Sequence, residues 1–559
     1  MPDPNPALRD IVVHPFYDVA IADVLSKWKL FTFVDILMVV DDEISTDPAN
    51  DFGIALVIDL IRNTKIGCMR FRVDIALRSG GAQTVNASPS PTQPKYTGFR
   101  FDMVDGGAAV IDKYEQIWCF GFKPNNSGLA DDGLIDQAFA IPASNAELNK
   151  LDEWMTTRKG GVFGTGDHHF LGASMCRKIP RLGTMRRWTV ADGVPPQGRS
   201  NRPNPQDRID TLRPPSAAFL PGAVPLQALD NDLHQGDLVV QPIRWVADAS
   251  HWASLFFRHK RPHPVLCHPT LGPIDVMPDH AHEGLCVPNP NLAANKKFKA
   301  EREYPDAIDG GAQPSPKIIA YGSNLGQPPY LFTKGVQPAR NDNPMIAVYD
   351  GHRAGVGRVA TDSTWHHWMD VNIDVIRLAD TTDWKKIKRY FQNLAVWLNP
   401  PGFSTRCFYH SVVASHFQAV GFQEYWRGAT VKELGVALRS HLHFHFGPCW
   451  VTERIFDMIL DFKLVEVARL PQLIERRPDF GLDGAEFEAL VLGQMVEASF
   501  DVAEAIKETS GGVQRPRPSA LSEPEKLFAK PVATALREFV AQTEQRCGED
   551  TKALRSILR

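Results

Sequence analysis

The order of apolar and polar positions divides this chain into two styles. Before residue 402, short apolar blocks alternate with helical spacings; beyond it the spacing is mostly helical. Residues 34–40 (Val-Asp-Ile-Leu-Met-Val-Val) form an apolar block ending in Asp41-Asp42-Glu43, and a Pro/Asn/Asp loop leads to Phe52-Gly53-Ile54-Ala55-Leu56-Val57-Ile58-Asp59-Leu60-Ile61. That is strand, loop and helix, the opening of a βαβ unit. Residues 70–77 alternate like a strand, 98–104 offer a further strand, and 115–121 (Glu-Gln-Ile-Trp-Cys-Phe-Gly) read as a buried one. Ser144-Asn145-Ala146-Glu147 has the form of a capping box, which predicts a helix over 148–157. Gly160-Gly161 stops that helix and opens a strand over 161–166. Strands alternating with helices predict a mainly parallel sheet.

Regular periodicity is lost from 189 to about 315, where Pro, Gly, Asn and Asp dominate. A structureless loop of that length is improbable inside a compact domain, so the stretch reads as an insertion with short strands of its own, one over 237–242. Strand patterns resume at 317–321 and 345–349, and a Gly-rich turn over 351–357 leads into a strand at 358–362. A helix over 384–398 ends at Pro400-Pro401, and helical spacing then covers 408–420, 430–444, 450–468 and 485–507, with a linker at 510–524 and a last amphipathic helix near 525–545. The division expected is an α/β domain formed by 30–188 and 317–401, an insertion at 189–316 and a helical region at 402–559. No internal repeat is visible.

Two histidine pairs follow two of the predicted strands. Gly166-Asp167-His168-His169 comes after the strand at 161–166, and Thr364-Trp365-His366-His367-Trp368 after the strand at 358–362. In an open α/β sheet ligands bind outside the carboxyl ends of the strands. Asp167, His168, His169, His366 and His367 are therefore candidates for one catalytic pocket. Neighbouring residues leave a strand in opposite directions, so one histidine of each pair is expected to point inward. An imidazole with a carboxylate suits general acid–base catalysis, and it equally suits a divalent metal ion. His168 and His366, with His280, His282 and Glu283 from Asp279-His280-Ala281-His282-Glu283-Gly284, are the candidate metal ligands, the second group lying in a tight loop able to close over a pocket. The bland alternative is that these histidines hydrogen-bond loops at the sheet edge, and that the 279–284 segment is a polar surface turn.

Other motifs carry less. His441, His443 and His445 alternate with apolar residues inside a helical pattern, which favours a structural role. His263 and His268 flank Cys267 at a spacing typical of no metal site. Trp365 and Trp368 could line a carbohydrate pocket or fill a core, and Arg186-Arg187 could hold an anion or be solvated. No Walker loop, G-x-G-x-x-G, G-x-S-x-G or H-E-x-x-H is present. Nucleotide hydrolysis, dinucleotide redox chemistry, serine esterase activity and zinc proteolysis of the familiar kinds are not expected.

Composition narrows the partners. The 559 residues carry 61 basic and 65 acidic side chains, net −4, which gives no electrostatic reason for nucleic acid or an anionic membrane as a partner. The eight cysteines are scattered with no C-x-x-C, as befits a reducing compartment, and the start Met1-Pro2-Asp3-Pro4-Asn5-Pro6 lacks the features of a signal peptide. A cytoplasmic chain acting on a small molecule is expected, with a homo-oligomer left open.

Three stretches resemble the class I glutamine amidotransferase-like superfamily, and within it the ThuA-like proteins most closely. These are the helix, Gly-Gly, strand and sharp turn over 154–166; Gly355-Val356-Gly357-Arg358-Val359, similar to a late Gly-x-Gly-Arg-Val hairpin strand; and Arg389-Tyr390-Phe391-Gln392-Asn393-Leu394, similar to a closing helix. The resemblance implies a flavodoxin-like α/β fold, and its link to sugar-like substrates comes from the family alone. At the turn where a glutaminase carries its cysteine nucleophile this chain has Gly166-Asp167-His168, and Cys176 comes ten residues later, so glutamine hydrolysis by a thiolate is not expected. His366 or His367 falls where the family's triad histidine would sit. Asp35-Ile36-Leu37-Met38-Val39-Val40-Asp41-Asp42-Glu43 also looks like the first strand of a response-regulator receiver, but 117–121 offers no phosphoacceptor aspartate.

Overall fold

The computed structural model describes residues 30–41, 44–50, 53–79, 81–121, 143–166, 176, 178–187, 240–248, 260–278, 285–308, 310–324, 341–418, 428–461, 484–510 and 524–557. Its centre is a mixed sheet whose longer strands are β1 (Thr32–Val40), β2 (Met69–Leu77), β3 (Gln116–Gly121), β4 (Gly161–Gly166), β5 (Gln241–Trp245), β6 (Lys317–Asn324), β7 (Asn341–Tyr349) and β8 (Val359–Asp362). Across the sheet the order is Val276–Met277, β5, β6, β7, β8, β4, β3, β1, β2, Tyr96–Thr97 and Thr84–Val85, with Lys65–Ile66 pairing β2 to complete 12 strands. Neighbours from β8 to β2 run parallel, and those from Val276–Met277 to β8 antiparallel.

The apolar run of β1 now has a physical reason. It lies between β2 and β3, so both faces are covered: Val34, Ile36, Met38 and Val40 join one core, Leu37 and Val39 the other. The first core holds helices α1 (Ala55–Arg62), α3 (Asp370–Leu378) and α4 (Thr382–Trp397), and the second holds α2 (Asn145–Thr157). α2 begins at the expected capping box: Ser144 Oγ accepts from Glu147 N, and the Glu147 carboxylate accepts from Ser144 N. Glu147 is also held by Arg78 Nη1 at 2.8 Å, with both side chains buried.

The helices beyond are α5 (Pro401–Gln418), α6 (Val431–Phe446), α7 (Pro448–Asp461), α8 (Gly484–Ser510) and α9 (Pro524–Ile557). α6 and α8 cross closely because each offers a glycine to the other's backbone. A Cβ on Gly435 would strike the Ala489 carbonyl, and one on Gly493 the Val431 carbonyl. Their apolar faces join the same core as α1, α3 and α4.

Several expectations change. Residues 98–104 form no strand except at Val104, where a two-residue strand begins; the pairing there is made by Tyr96–Thr97. The sheet is parallel only in its centre, because β6, β7 and β8 are successive neighbours that turn back on one another. Of the strand expected at 237–242, residues 237–239 lie outside the described residues; Gln241–Trp245 is a strand and pairs with β6 of the main sheet. Pro400-Pro401 closes α4 and at once opens α5, since proline suits the first turn of a helix. α3, immediately after the second histidine pair, was not predicted at all. Among the described residues no helix is long and apolar enough to cross a membrane.

Candidate functional site

The carboxyl ends of β4 and β8 lie side by side. Val359, Ala360 and Thr361 pair in parallel with Val162, Phe163 and Gly164, and Thr165 Oγ1 donates to the Asp362 carbonyl at 3.1 Å. The two strands that precede the histidine pairs thus end at one edge, as the strand-end argument requires. A single buried cation bridges them: Arg186 donates to the Gly166 carbonyl at 3.0 Å and, through Nε, to the Ser363 carbonyl at 3.2 Å. Arg186 is 1% exposed, so it is a clamp on two strand ends and not a solvated surface arginine.

After β8 the chain enters a turn closed by Trp368 N donating to the Trp365 carbonyl at 2.9 Å. In a turn the strict alternation of a strand no longer applies, and both histidines are buried, His366 at 1% and His367 at 0% exposure. His366 lies against the Trp365 ring, with centroids 4.2 Å apart. His367 Nδ1 lies 2.7 Å from Asp362 Oδ2. A carboxylate there selects the Nδ1–H tautomer and leaves Nε2 as the ring's basic nitrogen. Tyr390 Oη of α4 donates to the same Asp362 oxygen at 3.1 Å. Burial, reinforced by the Asp362 charge, pushes the Tyr390 phenol well up, so it stays a hydrogen-bond donor.

The rest of the turn is structural. Trp368 packs among Phe163, Trp118, Phe120 and Phe391, with centroids 4.5 Å from Phe163, so it is core and not a sugar platform. Asp370 accepts from Ala55 N and Leu56 N, both at 2.9 Å, and so caps the start of α1.

Cys176, ten residues beyond the β4 turn, lies back against the end of β4. Its Sγ donates to the Thr165 carbonyl at 3.6 Å and the Cys119 carbonyl at 3.8 Å. Burial pushes its thiol well above the ordinary range, with the neighbouring Cys119 adding to the effect. Position alone therefore does not bar Cys176 from the edge, and what keeps it from acting as a thiolate is its dry surroundings.

Asp167, His168, His169, Asp279, His280, His282 and Glu283 lie outside the described residues, so only His366 and His367 of the predicted site residues have a geometry here. Among the described residues no group of three or more His, Cys, Asp or Glu side chains is placed to hold a metal ion. His441 and His445 sit one turn apart on α6 with ring centroids 4.6 Å apart, and burial lowers them to about 3 and about 4. His263 accepts from Val265 N, and His268 from Thr270 N and Leu271 N; burial lowers both to about 4. Sequence reasoning missed Asp362 and Tyr390. The first closes a predicted strand five residues before His367, and the second lies in the predicted closing helix, but nothing in the spacing joins them.

No protein-family model, no curated protein and no solved structure matches this chain.

Proposed function

We propose that this chain is an amidotransferase-like α/β enzyme, related in plan to ThuA-like proteins, that performs acid–base chemistry of the hydrolase or isomerase type on a small polar, sugar-like substrate. One observation carries the reading: a buried carboxylate, Asp362, holds His367 through Nδ1 at the edge where two parallel strands end. In that arrangement Asp362 orients the imidazole and stabilises it when protonated, while Nε2 accepts and returns a proton. Tyr390 fixes the carboxylate by occupying the same oxygen. Because Asp362 and His367 are fully buried, substrate entry has to open the turn over 363–369.

A second reading, a ligand-binding module that keeps the fold without the nucleophile, is favoured by Cys176 and Cys119, whose thiols burial holds protonated. One experiment separates the two. Monosaccharides and disaccharides are screened by thermal shift, and every binder is followed by NMR for conversion. Under the enzymatic reading His367→Gln slows conversion by roughly 10²-fold or more, Asp362→Asn slows it too, and ligand binding protects amides at 363–369 from exchange differently. Binding without conversion supports the module. Conversion that survives both substitutions sinks the proposed centre.

A further inference from the structure

Outside that edge, one pair of side chains is arranged for chemistry. Cys267 opens the two-residue strand Cys267–His268 in the Pro-rich stretch, and Cys449 is in the first turn of α7. Both are free, both are buried, and their thiols share a hydrogen bond. The approach is made by Gly447, just before α7: a Cβ placed there would lie 3.3 Å from the Cys267 carbonyl and 3.8 Å from Cys267 Sγ. Gly447 also has a φ of +85, a conformation that favours glycine.

The two segments are held together by α4. Asn393 Nδ2 donates to the Cys267 carbonyl at 2.9 Å and the Val265 carbonyl at 3.1 Å, while Arg389 Nη2 donates to the His445 carbonyl at 2.9 Å, just before α7. A covalent link between the thiols would therefore join parts of the chain that are already docked.

The two sulfurs differ in character. The hydrogen bond from Cys449, helped by the Arg389 and Arg261 charges against the cost of burial, lowers Cys267, whereas the same bond and burial raise Cys449 well up. Elsewhere burial pushes Cys68 up to about 11 and Cys119 up to about 12, and it raises Cys176, Cys286 and Cys407 as well. Among these described thiols Cys267 is the one held toward its thiolate, and it has a second thiol in contact.

We propose that Cys267 and Cys449 are a redox-active pair that closes to a reversible disulfide when the chain meets hydrogen peroxide. The Cys267 thiolate attacks one peroxide oxygen, the O–O bond breaks, and the departing oxygen leaves as water after taking a proton, so that Cys267 becomes a sulfenic acid. The Cys449 sulfur then attacks the Cys267 sulfur, the S–O bond breaks, and the departing hydroxide leaves with the Cys449 proton as a second water. Two thiols are oxidised and one peroxide is reduced to two waters. Small size suits the oxidant, because Cys267 is 3% and Cys449 8% exposed. The inference does not depend on the function proposed for the Asp362–His367 edge.

The test uses the full chain. Hydrogen peroxide is added in small excess, remaining thiols are alkylated under denaturing conditions, and peptides are mapped by mass before and after dithiothreitol. The expected result is one linked pair, Cys267 to Cys449, lighter by two hydrogens and reopened by the reductant. With Cys449→Ser, Cys267 should stop at the sulfenic acid and take up dimedone roughly tenfold more than Cys68, Cys119, Cys286 or Cys407. Alkylation of both thiols after peroxide, or a link confined to other cysteines, overturns the proposal. Dimedone uptake by Cys449 in Cys267→Ser, without uptake by Cys267 in Cys449→Ser, overturns the assigned order of attack. The wild-type peptide map decides the first point even if either variant fails to fold.

Discussion

The two ends of β8, a strand of four residues, carry charge in opposite ways. At its carboxyl end the Asp362 carboxylate meets the His367 imidazole, the Tyr390 phenol and the Thr364 backbone N–H. Beside its amino end Arg358 is wholly buried and serves several partners: Asp350 at 2.9 Å, Glu453, Asp457 at 3.7 Å, the Trp397 carbonyl at 3.1 Å and the Trp397 ring at 4.5 Å. Arg454 adds a second guanidinium against Glu453 and Asp457. An always-charged group with many partners is spread over β8, α4 and α7, which fits a structural anchor for the helical region. An imidazole oriented by a carboxylate is instead the kind of pair used in proton transfer. The arginine of the Gly-x-Gly-Arg-Val segment is thus committed to structure.

The largest effect expected follows from removing the anchor. Arg358→Met leaves Asp350 without its buried cation and strips Glu453 and Asp457 of one of two guanidinium partners, and should cost about 3–5 kcal/mol in urea unfolding. A loss under about 1 kcal/mol would mean that the network does not hold the helical region. The next concerns how the amino end is packed. A Cβ on Gly357 would run into the Gly160 carbonyl, so Gly357→Ala should cost about 1–3 kcal/mol by overpacking, read as a lower denaturation midpoint. An unchanged midpoint would show that β4 and β8 can separate there freely.

The smallest effect is a pH dependence. Burial, with the Glu453 charge adding, pushes Asp457 up to about 7 against the pull of Arg454 and Arg358. An unfolded aspartate titrates near 4. Between roughly pH 4 and 7 the folded chain therefore holds a proton that the unfolded chain has lost, and this group makes stability fall as pH rises through that window. Asp350 works in the opposite sense: although burial raises it, Arg358 lowers it further, and its contribution is lost only as the solution becomes acid. Asp457→Asn should flatten the decline in thermal midpoint between pH 5 and 7.5. The side chain is 31% exposed, so screening keeps the change small. A steeper decline in the variant would reverse the assignment.

Local patterns told much of this in advance. The apolar block at 34–40, the capping box at 144–147 and the Gly-Gly stop at 160–161 correspond to β1, α2 and the start of β4 because each depends on neighbours in the chain. The rule for open α/β sheets pointed to a shared pocket at two strand ends; the structure pairs β4 with β8 side by side, while Asp167, His168 and His169 lie outside the described residues. Other features were not legible. Arg186 could be read only as an anion site or a solvated arginine, because a sequence cannot show the two carbonyls that it bridges. Trp368 could not be assigned between a carbohydrate pocket and the core, because its flanking histidines are visible in the sequence and its ring neighbours, Trp118 and Phe163, are not.

By itself the sequence determined where β1, β3, β4, α2 and α4 form, since periodicity, caps and glycine act over a few residues, but it gave no sign of α3 and misplaced the strand expected at 98–104. Only the tertiary structure decided which side chains meet: Asp362 with Tyr390 across 28 positions, Cys176 with the end of β4, and Cys267 with Cys449. Such meetings arise from sheet order and helix docking, in which many weak apolar contacts are satisfied together, and no short window of residues records that sum.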